Sequence, residues 1–238
     1  MGIDWATVQV DQKLATGTAT VLLDNTGKPQ FTINNNVAWD ALSFTDEALD
    51  TVRTAHAVCF GTLAQRTAVA ASTIQRLLSA AGPSSLKVLD LNLRQSFYSP
   101  QLIEKSLKNC NVLKLNDSEL SVLSSILGLG GDARRQIEEL SHQYQLQLMA
   151  LTRGQGGSLL YQKGTWSDSP GSQMQVVDTV GAGDAFTAAL VLGMLNRFGL
   201  EDIHRIAVEI AEYVCSCPGG TPALPKHLCA AFASAGQT

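Results

Sequence analysis

No apolar run in these 238 residues approaches the length of a membrane span. The opening residues, MGIDWATVQVDQK, lack the basic-then-apolar pattern of a secretory leader. Both absences argue for a cytoplasmic protein without a membrane partner. Positive charge is not in excess either: 17 Lys and Arg stand against 21 Asp and Glu, a net charge of −4 and a pI near 5.5. A nucleic-acid binder would normally carry a basic stripe, so the charge argues against that class. Cysteine is sparse, and five residues at irregular spacing suit reduced thiols better than a disulfide framework. Cys215, Cys217, His227 and Cys229 leave zinc open as an alternative, but CxC…HxC interrupted by three prolines is not a common ligand spacing, and core packing is the simpler reading. Two nucleotide signatures are missing as well. A dinucleotide fingerprint needs a third glycine where Phe186 stands, and a phosphate loop needs Gly-Lys-Ser/Thr, whereas Gly27-Lys28 runs into Pro29.

With 45% hydrophobic residues, and neither internal repeat nor low-complexity linker, residues 1–238 read as one α/β domain. Thr7–Asp11, Gly17–Asp24 and Gln30–Ile33 are β-prone, the last two forming a hairpin about Asn25-Thr26-Gly27-Lys28. Thr45 caps a helix that begins with Asp46 and Glu47. Ala57–Gly61, Leu86–Leu91, Val112–Leu115 and Gln147–Thr152 read as short buried strands, separated by helices such as Gln65–Ala81 and one starting at Ser99-Pro100. Such alternation predicts a mainly parallel sheet covered on both faces, with its site at the C-terminal strand ends. His56, His142 and His204 sit in helical or strand patterns and read as structural or surface residues.

The chain is organised around Val177–Phe186, VDTVGAGDAF. Gln175–Val177 reads as a strand and Ala185–Phe198 as a helix, which places Gly181, Ala182, Gly183 and Asp184 at a strand-to-helix junction. The first N–H groups of a helix lack internal partners and carry partial positive charge, so glycines there admit an anion. Asp184 either caps that helix or handles a proton beside the anion. Three strand ends bring polar motifs to the same edge: Asp90-Leu91-Asn92-Leu93-Arg94, Asn116-Asp117-Ser118-Glu119, and Thr152-Arg153-Gly154-Gln155-Gly156-Gly157. Taken singly these are weak, since Asn116 could simply cap the helix carrying Glu119, and a glycine-rich loop is usually a turn.

In combination they resemble the ribokinase-like, phosphofructokinase-B-type sugar kinases, and Asn36–Asp40, Phe60–Arg66 and Leu91–Gln95 look most like bacterial fructokinase-type members. The resemblance implies a three-layer α/β/α fold with residues 7–34 part of a β lid, and transfer of the γ-phosphoryl group of ATP to a sugar hydroxyl. Asp184 would be the general base, Gly181–Gly183 the anion hole, and Arg94 a neighbour of the transferred phosphate or the sugar. Asn116 and Glu119 would hold Mg²⁺ through water, and Thr152, Gly154 and Gly157 would wrap the nucleotide. The closing loop around Gly219 would border adenine, with Asp178 beside a monovalent cation such as K⁺. Family members also possess a first portion, with a central strand and sugar-binding residues, that no stretch here replaces. A poor sugar kinase that tends to self-associate is therefore expected, the alternative being a non-catalytic nucleotide-binding fragment or regulator.

Overall fold

A computed structural model describes residues 4–23, 29–172 and 174–232. The chain divides into two compact units, Met1–Ser85 with Leu93–Asn109, and Leu86–Asn92 with Cys110–Thr238.

In the first unit, β1 (Ala19–Leu23) pairs antiparallel with β2 (Pro29–Ile33), in a register that sets Ala19 against Ile33 and Leu23 against Pro29. The hairpin is as expected; its turn at residues 25–28 lies outside the described residues. Thr7–Asp11, by contrast, is not a strand. The Val8 N–H turns back to the Trp5 carbonyl instead of joining a ladder, and the polar side chains bond locally and to Ser43. The Gln9 amide exchanges two hydrogen bonds with the backbone of Ser43 (2.6 and 2.8 Å), and Asp11 accepts the N–H groups of Lys13 and Leu14. α1 (Asp46–Thr54) starts where the Thr45 hydroxyl accepts the Ala48 N–H, and β3 (Ala57–Phe60) follows. α2 (Ala68–Ala80) begins three residues later than its apolar pattern suggests, because Leu63–Gln65 forms a tight 3₁₀ turn and Thr67 supplies the cap. α3 (Pro100–Lys108) has Ser99 as cap and proline in its first turn, where a missing N–H costs nothing.

The second unit carries β4 (Leu86–Asp90), β5 (Val112–Asn116) and β6 (Leu148–Thr152) in parallel, extended antiparallel by β7 (Ser158–Gln162) and β8 (Thr165–Ser169). Val112–Leu115 and Leu148–Leu151 are enclosed, which is why these two segments read as apolar runs interrupted only by Lys114. α4 (Asp117–Leu127) and α5 (Ala133–Gln143) pack on β5 and β6, burying Leu120, Leu123, Ile137 and Leu140. α6 (Ala182–Leu195) contacts β4, and α7 (Leu200–Cys215) contacts β7 and β8. α7 buries Ile203, Ile206, Ala207, Ile210 and Val214 at helical spacing. A short α8 (Lys226–Ala230) follows. Among the described residues no helix is long and apolar enough to cross a membrane.

Candidate active site

β4, β5 and β6 end on Asp90, Asn116 and Thr152, so three motifs do arrive at one sheet edge; Asn116 and Thr152 lie directly opposite one another in the ladder. What leads into α6 differs from expectation. Gln175–Val177 is not a strand, because the N–H groups of Val177 and Asp178 both donate to the Cys215 carbonyl at the end of α7 (2.8 and 3.2 Å) and no strand partner is left. α6 also begins at Ala182, three residues before its expected start, so Gly183 and Asp184 stand in its first turn.

Gly181 is the N-cap, with φ +80°. A side chain there would be conformationally strained and would run into the Gly220 carbonyl. That close approach joins the start of α6 to the closing loop, and Asp178 clamps the same junction: its two carboxylate oxygens accept the N–H groups of Val180 (3.0 Å) and Gly219 (3.1 Å). These backbone hydrogen bonds hold the Asp178 carboxyl below its usual range. Asp178 and Gly219 are thus neighbours, and any cation here would share oxygens already bound to backbone.

No side chain caps α6. Asp184 is exposed, and its carboxylate takes no hydrogen bond from the described residues. The capping reading of Asp184 is therefore excluded. Asn116 and Glu119 behave in the opposite way. Asn116 Oδ1 accepts the Glu119 N–H, and Glu119 Oε2 accepts the Asn116 N–H, both at 2.9 Å, a reciprocal capping box that begins α4. One carboxylate is engaged at its helix start, and the other takes no hydrogen bond from the described residues.

Thr152, Gly154, Gly157, Ala182 and Gly183 line a cavity of about 410 Å³ in this unit. Its remaining walls include Met174, Val176 and Phe186, with Val208, Ala211, Glu212 and Cys215 along one side of α7. An apolar slot ending at a helix N-terminus suits a flat ring carrying an anion. Asn116, Glu119, Asp178, Gly181, Asp184 and Gly219 stand outside its lining. Arg94 belongs to the first unit, where it is exposed just beyond Asn92.

Two clusters were not legible beforehand. Lys114 is buried, and its Nζ lies 3.1 Å from each oxygen of Asp90, while the Thr187 hydroxyl is 3.0 Å from Asp90 Oδ2. The signal for it was the single charge in β5's apolar run. His204, expected to be structural or on the surface, is buried with both ring nitrogens engaged: Nε2 is 2.7 Å from Ser158 Oγ, and Nδ1 is 2.7 Å from Ser167 Oγ. Ser167 also bonds Glu201 Oε2 at 2.8 Å. An ionised carboxylate only accepts, so the Ser167 proton goes to Glu201, and the neutral ring must carry its hydrogen on Nδ1.

Burial lowers the His204 pKa, against smaller opposing effects of Glu201 and Asp168. The unfolded chain then binds a proton, near pH 6.5, that the folded chain resists. Stability should be fully present above about pH 6.5 and be lost as pH falls through the lower folded value. His204→Gln should flatten that acid slope in thermal melts between pH 7.5 and 5. An identical slope in the variant would remove His204 as its source.

Residues 1–227 match the profile of the pfkB family carbohydrate kinases. The chain is 28% identical over 205 residues to a sugar kinase of Pyrococcus horikoshii, PH1459, covering 84% of this chain and 62% of that protein. It is 26% identical over 238 residues to the fructokinase of Salmonella typhimurium, covering 94% and 75%. Among solved structures, PH1459 in complex with ATP superposes with a TM-score of 0.74 at 27% identity, over 88% of this chain and 68% of that one. An ATP-bound fructokinase of Xylella fastidiosa gives 0.78 at 22% identity, over 94% and 75%, and shares the fold. The glycine-capped helix, its uncommitted aspartate and the polar strand ends therefore sit in a chain that belongs to the pfkB family of carbohydrate kinases.

Proposed function

We propose that the chain is the nucleotide-binding and phosphoryl-transfer part of an ATP-dependent sugar kinase of fructokinase type. The observation that carries this reading is Asp184: an exposed carboxylate without a partner among the described residues, in the first turn of a helix whose N-terminus opens on an apolar cavity. Adenosine occupies the slot along α7, with Thr152, Gly154 and Gly157 about the ribose and phosphates, and the Gly219 loop borders the base. The sugar hydroxyl is oriented by Asp184, which takes its proton as the oxygen bonds the γ-phosphorus; the bond from that phosphorus to the β–γ bridging oxygen breaks, and ADP leaves. The transition state is loose, so the backbone N–H groups of Gly181–Gly183 and the positioning of the two substrates matter more than early proton removal. Arg94 serves the transferred group or the sugar.

Asn116 and Glu119 fit a role in holding Mg²⁺ through water: they carry oxygen acceptors at the strand edge, but their capping box occupies an oxygen of each, which disfavours direct ligation. Held there, magnesium would supply positive charge against the phosphates. Asp178 with K⁺ and a homo-oligomeric assembly complete the proposal. Because the chain spans 62% of PH1459, the sugar itself is assigned only as a class.

Calorimetry should detect Mg-ATP or Mg-ADP, and Asn116→Ala combined with Glu119→Ala should diminish the magnesium dependence in particular. Some loss of stability, about 1 kcal/mol for the cap, accompanies that pair. Failure of the folded chain to bind any adenine nucleotide would sink the proposal.

A further inference from the structure

We propose that Glu212 reads the nucleobase, its carboxylate accepting the exocyclic amine of adenine at the end of the slot away from the phosphates. This assignment rests on the kinase reading above and specifies which group of the nucleotide α7 recognises. Val208, Ala211, Glu212 and Cys215 recur at helical spacing, so one stripe of α7 forms a wall of the cavity. Glu212 is the one charged residue among the described residues of that lining. It is half-buried, and its carboxylate takes neither a hydrogen bond nor an ion pair from the described residues. Its charge is felt one turn further along the same wall: burial raises the pKa of the Cys215 thiol, and the Glu212 and Asp178 carboxylates raise it again.

The position of the charge is what separates a recognition group from a solvated surface acid. Glu212 stands in the last turn of α7, where the carbonyl end of the helix already carries partial negative charge, and no basic residue lies in that turn to offset it. Stability alone would favour a cation there. The other end of the slot has the reverse polarity, since Ala182 and Gly183 bring the first turn of α6, with its unpaired N–H groups, to the cavity. One end therefore offers donors and the other an acceptor. A nucleotide of adenine has the complementary order, with anionic phosphates at one end and a donating amine at the other. An ionised carboxylate only accepts, so a base with an oxygen in the place of that amine meets repulsion instead of a bond. The same charge opposes entry of the phosphates the wrong way round.

The test compares the 5′-diphosphates of adenosine, purine riboside and inosine by calorimetry on the whole chain. Purine riboside lacks only the amine, and inosine carries an oxygen in its place. The parent should bind ADP about tenfold more tightly than the purine riboside diphosphate, the worth of a hydrogen bond to a charged group that is still partly solvated. Glu212→Ala should bring those two affinities together by weakening ADP alone. Glu212→Gln, whose amide can donate to the inosine oxygen, should improve inosine diphosphate relative to ADP. If the parent binds ADP and the purine riboside diphosphate alike, or if Glu212→Ala keeps the parent's ratio between them, Glu212 does not read the amine and the assignment is wrong. A parent that prefers inosine diphosphate to ADP would also overturn it, because the carboxylate would then be accepting the ring N–H. If the folded parent binds none of the three, the kinase reading fails and takes the assignment with it.

Discussion

Asp184→Asn should lower kcat by about 10²–10⁴-fold, the usual range for a positioned general base, while the affinity for Mg-ATP stays close to its starting value. The split follows from where the carboxylate stands. It is exposed beyond the cavity lining, takes no hydrogen bond from the described residues, and so can be neutralised without disturbing the helix start that opens on the cavity. Asparagine keeps the size and a hydrogen-bond acceptor but cannot take the hydroxyl proton. Steady-state turnover with a panel of sugars, including fructose, measures the effect in whichever form of the protein turns over. Activity near the parent level would mean that the proton leaves by another route. A matching loss of nucleotide affinity would mean that Asp184 acts through the helix after all.

Asp40→Ala should destabilise the first unit by about 3–5 kcal/mol, the cost of stranding one member of a buried ion pair. Asp40 and Arg66 have side chains 8% and 5% exposed, joined by bonds of 2.6 and 2.7 Å to the two carboxylate oxygens. Around that pair the guanidinium has one further oxygen, the Asn34 carbonyl at 2.6 Å, and its carbon lies 4.0 Å from the centre of the Trp39 ring and 4.7 Å from that of Phe97. Arg66 Nη1 already has no hydrogen-bond partner among the described residues, so little remains to compensate the charge when Asp40 is removed. Arg66 also holds the Asp40 carboxyl below its usual range, so the pair's contribution is present above about pH 4 and is lost as pH falls through the lower folded value. Urea unfolding of Asp40→Ala beside Asp50→Ala gives the contrast. Asp50 pairs with Arg53 on the surface, both more than half exposed, and its loss should cost less than about 0.5 kcal/mol. Equal small losses in the two variants would show that the Asp40 pair is solvated in solution.

The motif residues around Asp40 and Arg66 were legible as part of a family resemblance, but their pairing was not. Twenty-six positions separate them, and neither shows a local pattern that marks it as buried. The parallel strands were legible for a simple reason: a strand enclosed on both faces must be apolar, and β5 and β6 are, apart from Lys114 and the polar residues Asn116 and Thr152 on which they end. The same logic failed at Thr7–Asp11 and Gln175–Val177. Both have strand-like composition, yet a strand exists only if another backbone is available to pair with it: the Val8 N–H turns back to the Trp5 carbonyl, and those of Val177 and Asp178 go to Cys215.

Local chemistry settled what nearest neighbours can settle. Thr45, Thr67, Ser99 and Asn116 are caps because a short polar side chain bonds an N–H two or three residues along, and the glycines of GAGD mark a helix start that admits an anion. Whether an acidic residue near such a start is a cap or a reagent could not be read that way. Asp184 and Glu119 are both the third residue of their helices, but Asn116 precedes Glu119 and engages it, whereas Gly181 offers Asp184 nothing. Only the tertiary structure decided the rest: that Lys114 lies under Gly183, that Asp90 restrains it, and that Ser158, His204, Ser167 and Glu201 form one hydrogen-bonded chain. Those contacts join residues 24 to 97 positions apart, where the linear pattern carries no information and the packing of helix on sheet determines who meets whom.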